Sequence, residues 1–129
     1  MPPLENLQRV PMYHLEALER QGIFTTGLLL EVSETPTRRQ YLADQIGATP
    51  NDVNSWRDEA LLLNLANFGL AEQDLFTQAG IVGLSDLLEL DLETFRQRLD
   101  RSARVLGATA PDELMVEGWW EQAHTLQEE

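Results

Sequence analysis

The sequence predicts an all-α fold, with two similar helical units packed as one compact domain over residues 1–129. Three observations point there. Apolar residues recur at intervals of three and four, and no stretch sustains the alternation of a strand. Helix starts and stops are marked by Thr-Pro pairs, capping residues and glycines. The pattern also restarts 58 residues along the chain: Gly22-Ile23 and Leu29-Leu30-Glu31 recur as Gly80-Ile81 and Leu87-Leu88-Glu89.

Taken in order, Leu4–Arg9 forms a short first helix, broken by Val10-Pro11. Met12–Gln21 forms the second, with Leu15 and Leu18 on one side and Glu16, Glu19 and Arg20 on the other. Gly22 is placed as its C-cap, where glycine relieves left-handed strain. Thr25 and Thr26 can cap the helix through Leu28–Val32. Thr35-Pro36 starts a helix that ends at Gly47, and Thr49-Pro50 starts another, with Asp52 placed to complete a capping box. Val53, Trp56, Ala60 and Leu63 give that helix its apolar stripe. Gly69 opens the second half, Leu70–Gln78 is helical, and Gly80 ends it. Ser85 is placed to cap Asp86–Leu90, and Asp91 to cap Leu92–Leu106. Pro111 starts the last helix, carrying Leu114, Trp119, Ala123 and Leu126.

The repeat covers residues 4–64 and 65–126. Leu7 pairs with Leu65, Val10 with Phe68, Met12 with Leu70, and Leu18 with Phe76. Gly47-Ala48-Thr49 recurs as Gly107-Ala108-Thr109. After a three-residue insertion, Trp56-Arg57-Asp58-Glu59-Ala60 answers Trp119-Trp120-Glu121-Gln122-Ala123. Each half carries the outline of a helix-hairpin-helix, at Val10-Pro11-Met12 with Gly22-Ile23 and at Asn67-Phe68-Gly69-Leu70-Ala71 with Gly80-Ile81.

Thr35-Pro36, Arg39, Leu42-Ala43, Gly47, Trp56 and Ala60, followed by Phe68-Gly69 and Ala79-Gly80-Ile81, resemble the uncharacterised tandem helix-hairpin-helix family, domain of unknown function 4332. The resemblance runs over roughly residues 4–126 and extends to short stand-alone members in cyanobacteria. It implies an all-α fold akin to the helix-hairpin-helix domains of DNA polymerases and repair proteins. It implies no activity.

Composition narrows the partners. The formal net charge is −13, with nine arginines, no lysine and no cysteine. Residues 65–129 hold thirteen acids against four arginines. Such a field repels phosphate backbones, because nonspecific nucleic-acid affinity comes from cations that displace counterions. Without cysteine there is no disulfide, thiol catalysis or thiolate zinc site. His14 and His124 have no second histidine at ligand spacing, so no metal and no cofactor is expected. Neither a signal peptide nor an apolar run of membrane-spanning length is present, which places the protein in the cytoplasm.

A phosphate-binding hairpin of this type needs two glycines in its turn and free N–H groups at the next helix start. Gly69 holds the first glycine position, but Ala71 holds the second, and Glu72 and Asp74 follow. In the first half Pro11 and Tyr13 replace both glycines, and Pro11 removes an N–H. Arg9 alone is well placed there. The stretch Arg38–Trp56 also resembles a helix-turn-helix, whose second helix would show Asn51, Asp52, Asn54, Ser55, Arg57 and Asp58 outward. Asparagine and arginine can read bases, whereas the two aspartates oppose the backbone. Gly69, Arg9, Arg38 and Arg39 are therefore the residues of a nucleic-acid alternative, and turns kept only for helix packing explain them as well.

No nucleophile–base pair, phosphate loop or His-Glu-x-x-His motif is present, so no enzyme is expected. What remains is a non-catalytic acidic adaptor or assembly factor that binds another protein. Trp119-Trp120 is the most informative surface feature. Adjacent residues on a helix point about 100° apart, so both rings cannot face one core. Trp119 matches Trp56 and is expected inside, which leaves Trp120 nearer the surface, where tryptophan is enriched in binding hot spots. A ring lying flat over a neighbouring helix accounts for it equally. Tyr13 and Phe24, beside the first hairpin, are candidates of the same kind.

Overall fold

The computed structural model describes residues 2–128, apart from the side chains of residues 127 and 128. Among the described residues the only regular structure is helical. The chain divides into two compact units, Met1–Asn64 and Leu65–Glu129.

The first unit holds a 3₁₀ turn at Leu4–Asn6, α1 at Met12–Arg20, α2 at Thr26–Val32, α3 at Pro36–Ile46 and α4 at Pro50–Leu63. The expected opening helix is cut to a single turn because the segment is spent elsewhere. Leu4 N–H donates to Phe24 O at 2.9 Å, and Thr26 N–H to Pro2 O at 3.0 Å, so the leading strand of backbone is pinned beside the α1–α2 turn. Thr25, Thr35 and Thr49 each accept a backbone N–H three residues on, and Asp52 returns the bond to Thr49. Gly47 closes α3 at φ 73°, where Ala48 N–H reaches Ala43 O. Helix α4 packs on α2 and α3, and α3 also meets α1. Leu18, Leu29, Ala43, Val53, Trp56 and Ala60 are buried there.

The second unit holds α5 at Leu70–Gln78, α6 at Leu84–Leu88, α7 at Leu92–Leu106 and α8 at Glu113–Glu128. Two starts differ from expectation. Helix α6 begins at Leu84, ahead of Ser85. Its N-cap is Gly83, and Asp86, the third helical residue, returns the bond, its Oδ2 accepting the N–H groups of Val82 and Gly83 at 2.9 and 3.1 Å. Helix α8 begins at Glu113, two residues past Pro111, because Asp112 Oδ1 accepts Met115 N–H at 2.8 Å. Asp91 caps α7 as expected, and the N–H and hydroxyl of Thr94 hold its carboxyl below the usual range.

Corresponding positions adopt corresponding geometry. Ile23 N–H bonds Leu18 O, and Ile81 N–H bonds Phe76 O. Gly22 and Gly80 have φ of 82° and 80°. The cores differ in content. Where the first unit has Leu18, the second has Phe76, with its ring centroid 4.8 Å from Phe68, 5.2 Å from Trp119 and 5.6 Å from Phe95, all edge-on. Phe76 and Phe95 are wholly buried. We expect Phe76→Ala to destabilise the protein by about 3–5 kcal/mol, since it empties the centre of this cluster. Urea denaturation followed by tryptophan emission measures it, and a loss under 1 kcal/mol would show that the rings do not hold the unit.

Candidate functional site

The residues with functional promise sit at helix ends, where four N–H or four C=O groups lack a helical partner. At the start of α5, Gly69 is the capping residue, with φ −123°, an extended conformation open to any residue. Its N–H donates to Glu72 Oε1 at 2.9 Å. A phosphate oxygen at this turn would compete with a carboxylate of the chain itself.

The first unit does the same over a longer range. Glu59, on α4, is 1% exposed. Its Oε2 accepts Gln8 N–H at 2.6 Å and its Oε1 accepts Arg9 N–H at 2.9 Å. Two successive backbone N–H groups ahead of α1 thus grip an internal anion. Burial pushes the Glu59 carboxyl above its ordinary range, and the two N–H bonds and the Arg9 charge oppose that rise. In the second unit Gln122 occupies the matching place on α8, and its Oε1 accepts Ala66 N–H at 2.9 Å. Trp119 adds a bond from Nε1 to Ala66 O at 2.8 Å.

The arginines are spent in the same way. Arg9 Nη1 bonds Ser55 O at 3.1 Å and Asp58 Oδ2 at 3.0 Å. Three others converge on the carbonyl end of α2, the negative end of its dipole. Arg57 Nη1 reaches Leu30 O at 2.8 Å and Ser33 Oγ at 2.7 Å. Arg39 donates to Ser33 O at 2.8 Å and Glu34 O at 3.2 Å, and Arg38 to Glu31 O at 3.4 Å. Burial first, then the charge of Arg39, lowers the pKa of Arg57. Arg57 therefore turns inward, where the helix-turn-helix reading placed it outward, and Asp58 faces Arg9. Asn51 and Asn54 are exposed.

Trp120 takes the place of Arg57. It is half-buried, and its Nε1 donates to Leu90 O at 3.1 Å, just past the end of α6. Its ring lies 4.0 Å from that of His124, whose Nδ1 is 2.8 Å from Trp120 O. Of the aromatic candidates, Tyr13 and Phe24 stand open at 66% and 57% exposure. They lie near opposite ends of α1 and do not share one helix turn. Among the described residues no group of three His, Asp or Glu side chains could hold a metal ion, and no helix is long and apolar enough to cross a membrane.

Glu59, Gln122 and Arg57 escape a reading that assigns polar helix residues to solvated faces. One signal was present: Glu59 lies three residues from Trp56 and four from Leu63, on the apolar stripe itself.

The class is thus an all-helical protein of two units, each closed by its own last helix. The chain belongs to the family described as domain of unknown function DUF4332, whose model matches residues 12–126. No curated protein and no solved structure matches it.

Glu59 carries a pH signature. Its folded-state pKa is raised, so its contribution to stability is greatest below about pH 4, the ordinary glutamate value, and is lost as pH rises through the raised value. Relative to Glu59→Gln, wild type should therefore lose stability as pH rises above the ordinary glutamate value and through the raised one. Glu59→Ala, which strands two N–H groups, should cost about 2–4 kcal/mol. Parallel pH profiles for wild type and Glu59→Gln would show that the carboxyl titrates normally.

Proposed function

We propose that the protein is a non-catalytic adaptor that binds another protein, built from two copies of one helix-hairpin-helix-like repeat. The observation that carries this reading is the internal use of the phosphate-binding equipment. Gly69 N–H is held by Glu72, the N–H groups of Gln8 and Arg9 by Glu59, and the Arg9 guanidinium by Asp58. Arg38 donates to the Glu31 carbonyl in the last turn of α2, and Arg39 to the Ser33 carbonyl just beyond it. Nucleic acid would have to displace these bonds against a net charge of −13.

Large apolar side chains meanwhile stand at the surface of the first unit. Met12, Tyr13 and Tyr41 are each 66% exposed. Tyr41 also lines a cleft of about 360 Å³ with Ile23, Val32 and Leu42. Aromatic side chains of this kind anchor protein interfaces. Tyr13 and Phe24 are the contacts we assign, whereas Trp120 is held by Leu90 and serves its own unit.

In a crosslinking pull-down from native lysate, Tyr13→Ala/Phe24→Ala should recover about tenfold less of the partner, and Trp120→Ala should recover it normally at a lower melting temperature. Equal recovery by wild type and the double variant would remove Tyr13 and Phe24 as contacts. Salt-sensitive binding to single-stranded DNA at low ionic strength would favour the nucleic-acid alternative instead.

A further inference from the structure

The two units differ at one place in a way that leaves a vacancy in the second. In the first unit His14, the third residue of α1, is buried. Its ring centroid lies 5.2 Å from Trp56, and its Nε2 lies 3.4 Å from Gly47 O, the carbonyl at the end of α3. The Tyr13 ring lies beside it, with centroids 4.2 Å apart and planes tilted by 52°. The His14 ring thus fills the corner between the start of α1, the α3–α4 turn and the tryptophan of α4, with the exposed Tyr13 ring over it.

The matching corner of the second unit holds neither ring. The third residue of α5 is Glu72, which folds back onto Gly69 N–H, and Ala71 stands in the place of Tyr13. The turn after α7 is three residues longer than its counterpart. The result is a cleft of about 320 Å³, lined chiefly by Ala71, Glu72, Leu75, Ala108, Met115 and Trp119. That volume is at the small end of the usual range of ligand pockets, about 300–1,000 Å³. Its walls are mostly apolar, and Glu72 supplies a carboxylate to them.

We propose that this cleft receives a histidine side chain from a segment of a partner protein, seated as His14 is seated in the first unit. The ring would sit between Ala71, Ala108 and Met115, over the buried Trp119, and the Glu72 carboxylate would favour its cationic form. Complementarity extends beyond the cleft, since residues 65–129 carry thirteen acids and four arginines, which suits a basic segment. The proposal deepens the adaptor reading but does not use Tyr13 or Phe24. Either can fail while the other stands.

The probe is the dipeptide N-acetyl-Tyr-His-amide, which copies Tyr13-His14, titrated into the ¹⁵N-labelled full chain. Saturable amide shifts are expected at Ala71, Glu72, Ala108, Thr109 and Met115. Glu72→Gln, which keeps an acceptor for Gly69 N–H, should weaken binding by about fivefold, as loss of a charge-assisted contact does. Ala71→Tyr/Glu72→His, which rebuilds the first unit's filling, should abolish it. If that variant loses its dispersed spectrum, Ala71→Phe fills the cleft alone and should abolish binding too. N-acetyl-Tyr-Glu-amide should not bind. The proposal is overturned by an absence of saturable shifts, by shifts centred elsewhere, by equal binding of the glutamate peptide, or by binding to a filled and folded variant. Tighter binding of histamine than of the peptide would make this a small-molecule site and overturn it as well.

Discussion

Each unit depends on one side chain of its last helix holding the backbone that precedes its first. Glu59 accepts the N–H groups of Gln8 and Arg9, and Gln122 accepts that of Ala66. These N–H groups belong to irregular chain and have no ladder or helix to satisfy them. The Gln8 and Arg9 bonds are part-buried and that of Ala66 is exposed, and leaving a buried N–H unpaired costs about 1–3 kcal/mol. Drawing it to the final helix closes the unit head to tail. The carboxylate satisfies two donors at the expense of desolvating a charge, whereas the amide satisfies one and avoids that expense.

The same helices close the short second helix from its other end. Arg57 donates to Leu30 O and Trp120 to Leu90 O. A guanidinium with several donors can serve Ser33 as well, while an indole has a single N–H. Seen in this light, Gly69, Arg9, Arg38, Arg39 and Trp120 are bonded within their own units, whereas Tyr13 and Phe24 stay exposed. Arg9, Arg38, Arg39 and Arg57 bond backbone carbonyls, and the half-buried Trp120 bonds Leu90 O.

Under the proposed reading, spending of this kind sets these turns apart from phosphate chemistry. A turn followed by a helix offers N–H groups to whatever anion is nearest. Here the nearest is covalently attached, at Glu72, Asp86 or Glu59. An internal carboxylate three residues away has an effective concentration no free phosphate can match. Under the proposed adaptor reading, the surfaces offered to a partner are apolar: the exposed aromatics of the first unit and the cleft over Trp119 in the second.

The sequence by itself determined the helices, most of their ends and the family. Thr35-Pro36, Thr49-Pro50 with Asp52, Gly47 and Asp91 act within three or four residues, so their effect is local and legible. In the second unit two starts differ from expectation: Gly83 with Asp86 opens the helix expected to follow Ser85, and Asp112 caps the one expected to start at Pro111. Tertiary structure alone decided what the polar side chains do. Glu59 meets Gln8 across 51 residues, Arg57 meets Leu30 across 27, and Trp120 meets Leu90 across 30. Whether a charge faces water or a stranded N–H depends on which backbone folding brings beside it. Helical period shows the face a residue occupies, and only packing shows what that face meets.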